Sequence, residues 1–174
     1  MDPLDRLKAY VTMAETTRKW VSVMDTKAGF LSALNAATLT FIWSGARFGI
    51  IQGLSYALLL AATGFILLSL FLALKVVLPR IHLRHAFGTP MEYVNNYEPI
   101  SYFGCVAKNY PCEKHADFIS RVDGMDEIAL AREALEQHYT TCHVVQRKST
   151  GIAYAGWLWM LAAILVVLAM IIKE

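Results

Sequence analysis

The sequence predicts an all-α membrane protein, with three transmembrane helices, an N-terminal amphipathic helix and a helical cytoplasmic cap, assembled as a homo-oligomer. Three observations carry that expectation. The 174 residues are 56% hydrophobic with a mean hydropathy of +0.43, more apolar than a soluble domain of this length. Only 17% of residues are charged, and they fall in patches between long uncharged runs. The charged stretches themselves carry apolar residues at helical spacing. A net charge of +2 gives no argument for nucleic acid by itself.

Residues 1–27 form the amphipathic helix. Pro3 suits a first helical position, and Leu4, Leu7, Val11, Ala14, Trp20, Val21 and Met24 recur at three- to four-residue spacing. The first span is 28–46, a run without a charge and long enough to cross about 30 Å of hydrocarbon. Arg47 and "RFGIIQG" make a turn. The second span, 53–78, lies in a leucine-rich run closed by Lys75, Pro79 and Arg80, and reads as lipid-facing. Residues 79–148 hold the cap and a long helix. Within 86–116, Gly88, Pro90, Pro99, Gly104 and Pro111 punctuate an aromatic-rich irregular segment, with one short helix expected from Ser101 to Lys108. After "VDGMDE" comes the long helix, in which Ile128, Leu135 and Cys142 are seven apart, as are Ala131, His138 and Val145. So short a coiled-coil-like stripe needs partners to hold it. The third span is 149–172. Trp43, Tyr154, Trp157 and Trp159 suit interfacial belts. All three spans belong to one unit, 1–174.

Basic residues set the orientation. Arg6, Lys8, Arg18, Lys19 and Lys27 precede the first span, Lys75, Arg80 and Arg84 follow the second, and Arg147 and Lys148 precede the third. The N-terminus and the cap are therefore expected in the cytoplasm. No cleavable signal is visible, because Asp2, Asp5, Arg6 and Lys8 stand where its apolar core belongs. Cys105, Cys112 and Cys142 have no paired or zinc-type spacing and read as reduced, ordinary residues.

Catalytic patterns are missing: the chain has no glycine-rich phosphate loop, nucleophile elbow or two-histidine zinc motif. No cofactor is expected. His82 with His85, His138 with Cys142, and Cys112, Glu113 and His115 each fall short of a metal ligand set, so no metal is expected either. Tyr102, Phe103, Lys108, Tyr110, Lys114, His115 and Arg121 mix rings with cations. Such a mixture can stack and neutralise a nucleotide or short single strand. It can equally be a small cap packed by its rings with solvated lysines. In a symmetric assembly, a few basic residues per chain become a ring able to hold phosphates. Ser32, Asn35 and Thr38 share a face of the first span, and either line a pore or bond to neighbouring helices. Gly29 and Ala33 form a small-residue packing pair.

Three stretches, in order, resemble one known family. "MDTKAGFLSALNAATLT" is similar to the Asp-x-Lys-Ala motif of the Pycsar transmembrane effectors. "ISYFGCVAK" is similar to that family's aromatic-glycine segment, and "EALEQHYTTCHVVQRKSTGIAYAGWL" to its long helix. The positions matched are Asp25, Lys27, Tyr102, Phe103, Gly104, Gln137 and Lys148. The resemblance implies a multi-pass protein of the bacterial inner membrane that acts in anti-phage defence and abortive infection. A partner cyclase makes a cyclic pyrimidine mononucleotide, and the effector then impairs the membrane. In the similar Hailong system, the partner is a nucleotidyltransferase and the effector is an ion channel held shut by a short DNA oligomer. This sequence has no separate cyclic-nucleotide-binding domain, which leaves the ligand and the sign of its effect open.

Asp25 and Lys27 stand at the lip of the first span, and Lys148 lies at the same depth before the third. An Asp25–Lys148 pair would lock the cytoplasmic helices to the spans, and the alternative is a plain membrane-boundary anchor. The leading reading is a nucleotide-controlled ion channel or membrane-disrupting pore. It has the cap as sensor, the first span as pore wall, Asp25, Lys27, Gln137 and Lys148 at the mouth, and four subunits as a working number. The second reading is a non-conducting membrane anchor that docks a soluble enzyme. A membrane enzyme ranks last, for want of a catalytic constellation.

Overall fold

The computed structural model describes residues 2–45, 53–78, 100 and 103–172, and every described element is helical. Helix α1 runs from Pro3–Gly45, α2 from Leu54–Val77, α3 from Phe103–Asn109, α4 from His115–Asp123 and α5 from Glu127–Ile172. A 3₁₀ turn, Cys112–Lys114, leads into α4. Two of these helices, α2 and α5, are long and apolar enough to cross a membrane. The apolar part of α1 carries Ser32, Asn35, Thr38, Thr40 and Ser44, and α1 is not among the helices that meet that standard.

The chain forms two compact units, Met1–Ser22 with Pro79–Gln146 and Val23–Leu78 with Arg147–Glu174. In the first, α1 starts at Pro3, whose missing N–H is no loss at a helix start. Asp126 caps α5, its Oδ1 accepting from the Ala129 N–H at 2.7 Å. The expected short helix lies at Phe103–Asn109, and the Tyr110 ring meets Phe118 edge-on with centroids 5.3 Å apart. Most of the irregular segment, with His82 and His85, lies outside the described residues.

The inward stripe of this unit agrees with the expected one at Leu7, Ala14, Ala131 and His138 and departs from it elsewhere. Leu4, Val11 and Trp20 are exposed, whereas Leu7, Tyr10, Ala14 and Thr17 turn inward. On α5, Ala131, Ala134 and His138 turn inward, and Ile128, Leu135 and Cys142 are exposed. The most deeply buried positions are small or hydroxylated, Ala14, Thr17, Ala131 and Ala134, with Leu7, Tyr10 and His138 half-buried beside them. Thr17 Oγ1 lies 2.9 Å from the Met13 carbonyl and shares a 2.7 Å hydrogen bond with His138 Nδ1, so the two helices are joined there.

The second unit is a three-helix arrangement with the same alternating three- and four-residue spacing. Its inward residues are Met24, Ala28, Leu31, Asn35, Thr38 and Ile42 on α1, and Ser55, Leu59, Ala62, Ile66, Ser69 and Ala73 on α2. On α5 they are Lys148, Ile152, Ala155, Trp159, Ala162, Val166 and Ala169. A seven-residue repeat of this kind is the signature of left-handed supercoiled packing. Lys148 meets Asp25, and further along the chain Trp159 meets Thr38, so α1 and α5 are parallel. Ala73 packs with Leu31, and Leu59 with Ile42, so α2 runs against them. One end of the unit is an aliphatic cluster of Ile42, Leu59, Ala62, Ile66, Ala162, Val166 and Ala169. The outward faces of α2 and α5 carry Leu60, Leu67, Phe71, Trp157, Ile164 and Val167, as lipid contact requires.

At the other end, Gly151 brings α5 against α2. A Cβ added there would lie 2.7 Å from Val76 Cγ2, and valine has few rotamers with which to retreat. Gly151→Ala should therefore destabilise the protein by about 1–3 kcal/mol through overpacking. Gly151→Ala with Val76→Ala should recover most of that loss in thermal unfolding of the detergent-solubilised protein. A single mutant as stable as the wild type would show that the helices do not approach this closely.

Candidate functional site

Two polar constellations stand out, one in each unit. In the unit that holds the apolar helices, Lys148 Nζ donates to Asp25 Oδ1. The Lys148 side chain is 17% exposed and that of Asp25 is 38% exposed, so the ammonium is the more deeply buried partner. Lys27 is exposed, turned away from this pair. Gln137 lies in the other unit, half-buried next to His138 in the chain, its carbonyl accepting from the Thr141 hydroxyl at 2.7 Å.

Deeper along α1 is a polar layer. Asn35 is fully buried, and its Nδ2 donates to the Leu31 carbonyl at 2.8 Å and to Ser69 Oγ at 3.0 Å. Ser69 passes its own hydrogen to the Ala155 carbonyl at 2.7 Å, which ties three helices through two side chains. One turn on, Trp159 Nε1 donates to Thr38 Oγ1 at 3.1 Å, and the Thr38 hydroxyl donates to the Leu34 carbonyl. Ser32 is satisfied by the Ala28 carbonyl of its own helix. Asn35 Oδ1 has no partner, the one such buried side-chain atom among the described residues.

The residues Ser32, Asn35 and Thr38 do share one side of α1. Asn35 donates to α2 and Thr38 accepts from α5 of the same chain, besides the bonds each makes to a carbonyl of α1. Ser69 and Trp159 were not expected as their partners. A lone serine among leucines in the second run was the available signal for Ser69. For Trp159, an aromatic-belt reading concealed a donor that reaches α1.

In the other unit, Lys108, Lys114, His115 and Arg121 are exposed on α3, the 3₁₀ turn and α4. Tyr110 is half-buried and its ring is engaged by Phe118. Tyr102 lies outside the described residues, and of Phe103 only its place at the start of α3 is described. Cys142 Sγ approaches His138 Nε2 at 3.7 Å, and no group of three or more metal-type ligands occurs among the described residues. Three exposed cations, an exposed histidine and a ring share this short stretch with the exposed carboxylates Glu113 and Asp117, so it is mixed in charge with a small positive excess. Asp25 and Lys148 can hold two parallel helices in register.

Residues 9–173 match the profile of the Pycsar effector protein domain, almost the whole chain. Comparison with curated proteins and with solved structures gave no match.

The unequal burial of the ion pair makes its two halves unequal under mutation. Asp25→Ala strands an ammonium that is largely out of water, and should lower stability by about 1–3 kcal/mol, between the surface and the buried limits. Lys148→Met leaves a carboxylate that can still hydrate, and should be milder. Thermal unfolding of both variants checks this. Equal effects, or a milder Asp25→Ala, would contradict the burial argument.

Proposed function

The chain belongs to the Pycsar effector family of anti-phage defence proteins, and from that premise we propose that this membrane protein is a homo-oligomeric, nucleotide-controlled channel or membrane-disrupting pore. The observation that carries the reading is the pair of unbroken helices α1 and α5. Each starts among charged residues and ends among apolar ones, over 43 and 46 residues respectively. A continuous helix is stiff, so a displacement imposed on its polar half is passed to its apolar half.

The apolar part of α1 acts as a third span beside α2 and α5. Support comes from its bonds to Ser69 and Trp159, and from Ile42 in the shared aliphatic cluster. Its hydroxyls are satisfied by carbonyls of its own helix, as a lipid environment demands. With α1 parallel to α5, three spans put the N-terminus and the cap on one side. The basic residues make that side the cytoplasm of the bacterial inner membrane.

The sensor is the exposed cluster of Lys108, Lys114, His115 and Arg121 with the Tyr110 ring. Its ligand is a cyclic nucleotide or a short oligonucleotide made by a partner cyclase or nucleotidyltransferase. The mouth is the Asp25–Lys148 pair with Lys27 two residues beyond Asp25, while Gln137, also expected there, belongs to the other unit. A ligand shifts such an assembly only by binding one state better than the other. Three spans are too few to enclose a conduit, so several copies, four as a working number, surround it. No catalytic step is assigned to the chain.

Ion flux from liposomes holding the purified protein tests this. Flux should change at least tenfold on adding a cyclic pyrimidine mononucleotide or a short DNA oligomer. In Lys108→Ala/Arg121→Ala the response should be lost while membrane insertion is kept. An unchanged response in that variant would remove the sensor assignment. No flux under any condition would favour a non-conducting anchor for a soluble enzyme.

A further inference from the structure

Of the three helices in the apolar unit, α1 has the smallest residues along the middle of its outward face. Outward on α2 stand Leu67, Leu68 and Phe71 beside Ala57, Ala61 and Gly64, and on α5 stand Ile164, Val167 and Leu168. Outward along the middle of α1 stand Gly29, Ala33, Ala36, Ala37 and Thr40, all exposed, with Phe30 and Phe41 on the flank. Lipid-facing helices are bulky and helix-facing surfaces are small, because small side chains let backbones touch. A Cβ built on Gly29 would meet nothing within 4 Å, so nothing in its own chain requires glycine there.

A second observation points the same way. The three-and-four spacing of this face, read back along α1, passes through Asp5, Lys8, Glu15 and Lys19. All four are exposed, and none is in an ion pair with a described residue. Their signs alternate within each helical turn, minus then plus, twice. Copies in one membrane share an orientation, so a neighbouring α1 lies parallel. Each carboxylate then has an ammonium of the neighbour within one turn of its own height. The face is thus complementary in charge to a parallel copy of itself.

We propose that the outward face of α1 is the contact between subunits, and that its occupant is α1 of a second copy of this chain. The small middle of the face packs backbone on backbone, and the charged part sets the register. The large outward residues of α2 and α5 remain toward lipid. This rests on the homo-oligomeric reading above and names the surface that forms the oligomer.

The test uses the full chain in membranes, with Cys105, Cys112 and Cys142 replaced by serine. Ala33→Cys is compared with Leu67→Cys under copper–phenanthroline oxidation, while native mass spectrometry of the parent gives the subunit number. A covalent dimer forming at least fivefold more with Ala33→Cys than with Leu67→Cys is expected. In a second arm, Gly29→Leu/Ala33→Leu should shift the native mass toward monomer while circular dichroism stays helical. An oligomeric mass with equal or inverted cross-linking overturns the α1 contact and leaves the oligomer standing. A monomeric mass for the parent protein overturns both.

Discussion

The seam between α1 and α5 is the constraint on which the other features depend. In lipid there is no hydrophobic drive to bring helices together, so close packing and hydrogen bonds must do so. Alanine at Ala28, Ala155 and Ala162 supplies the close approach. The bonds come from side chains that sequence statistics would put on a surface: Asp25 with Lys148, Asn35 with Ser69, and Thr38 with Trp159. Thr17 and His138 form a similar bond in the other unit. A slip of one residue would turn each of these groups toward an apolar neighbour. Unpaired polar groups in that setting are expensive, and polar seam residues are the best attested means of fixing register.

Much of this was legible in the chain. Uncharged runs bounded by basic residues announced α2 and the apolar half of α5, and "VDGMDE" announced the start of the latter at Glu127. The pairing of Asp25 with Lys148 was open to argument because both stand at the edge of an apolar run. A half-buried aspartate at the edge of an apolar run leaves few other outcomes. Which face of the polar helices turns inward was legible only in part. Hydrophobic periodicity picks out Leu7 and Ala14, which turn inward, but also Leu4, Val11 and Trp20, which are exposed, and it passes over Thr17. Periodicity measures transfer from water, and a close-packed helix pair is governed by the distance its backbones must reach.

Hydrogen bonds across helices are the other part that sequence conceals. Asn35 announces that it needs a partner but not which one. Its neighbours Ser32 and Thr38 on α1 spend their hydroxyl hydrogens on carbonyls of that helix, and Leu31 offers only its carbonyl. Ser69 becomes the partner only because α2 runs against α1, which places its middle beside the middle of α1. Topology, more than residue type, decided that bond. The same holds for Trp159, whose indole N–H faces Thr38 because α5 runs with α1.

The polar layer is satisfied except at one atom. Asn35 Oδ1 is buried without a donor, and Ser69 cannot supply one because its hydrogen goes to the Ala155 carbonyl. An unpaired carbonyl oxygen in such surroundings costs about 1–3 kcal/mol. The layer is held together all the same, because Asn35 Nδ2, Ser69 and Trp159 each donate a bond that crosses to another helix or to its backbone. The uncompensated oxygen is therefore the cost of a layer that joins three helices through two side chains, and the bonds around it offset that cost.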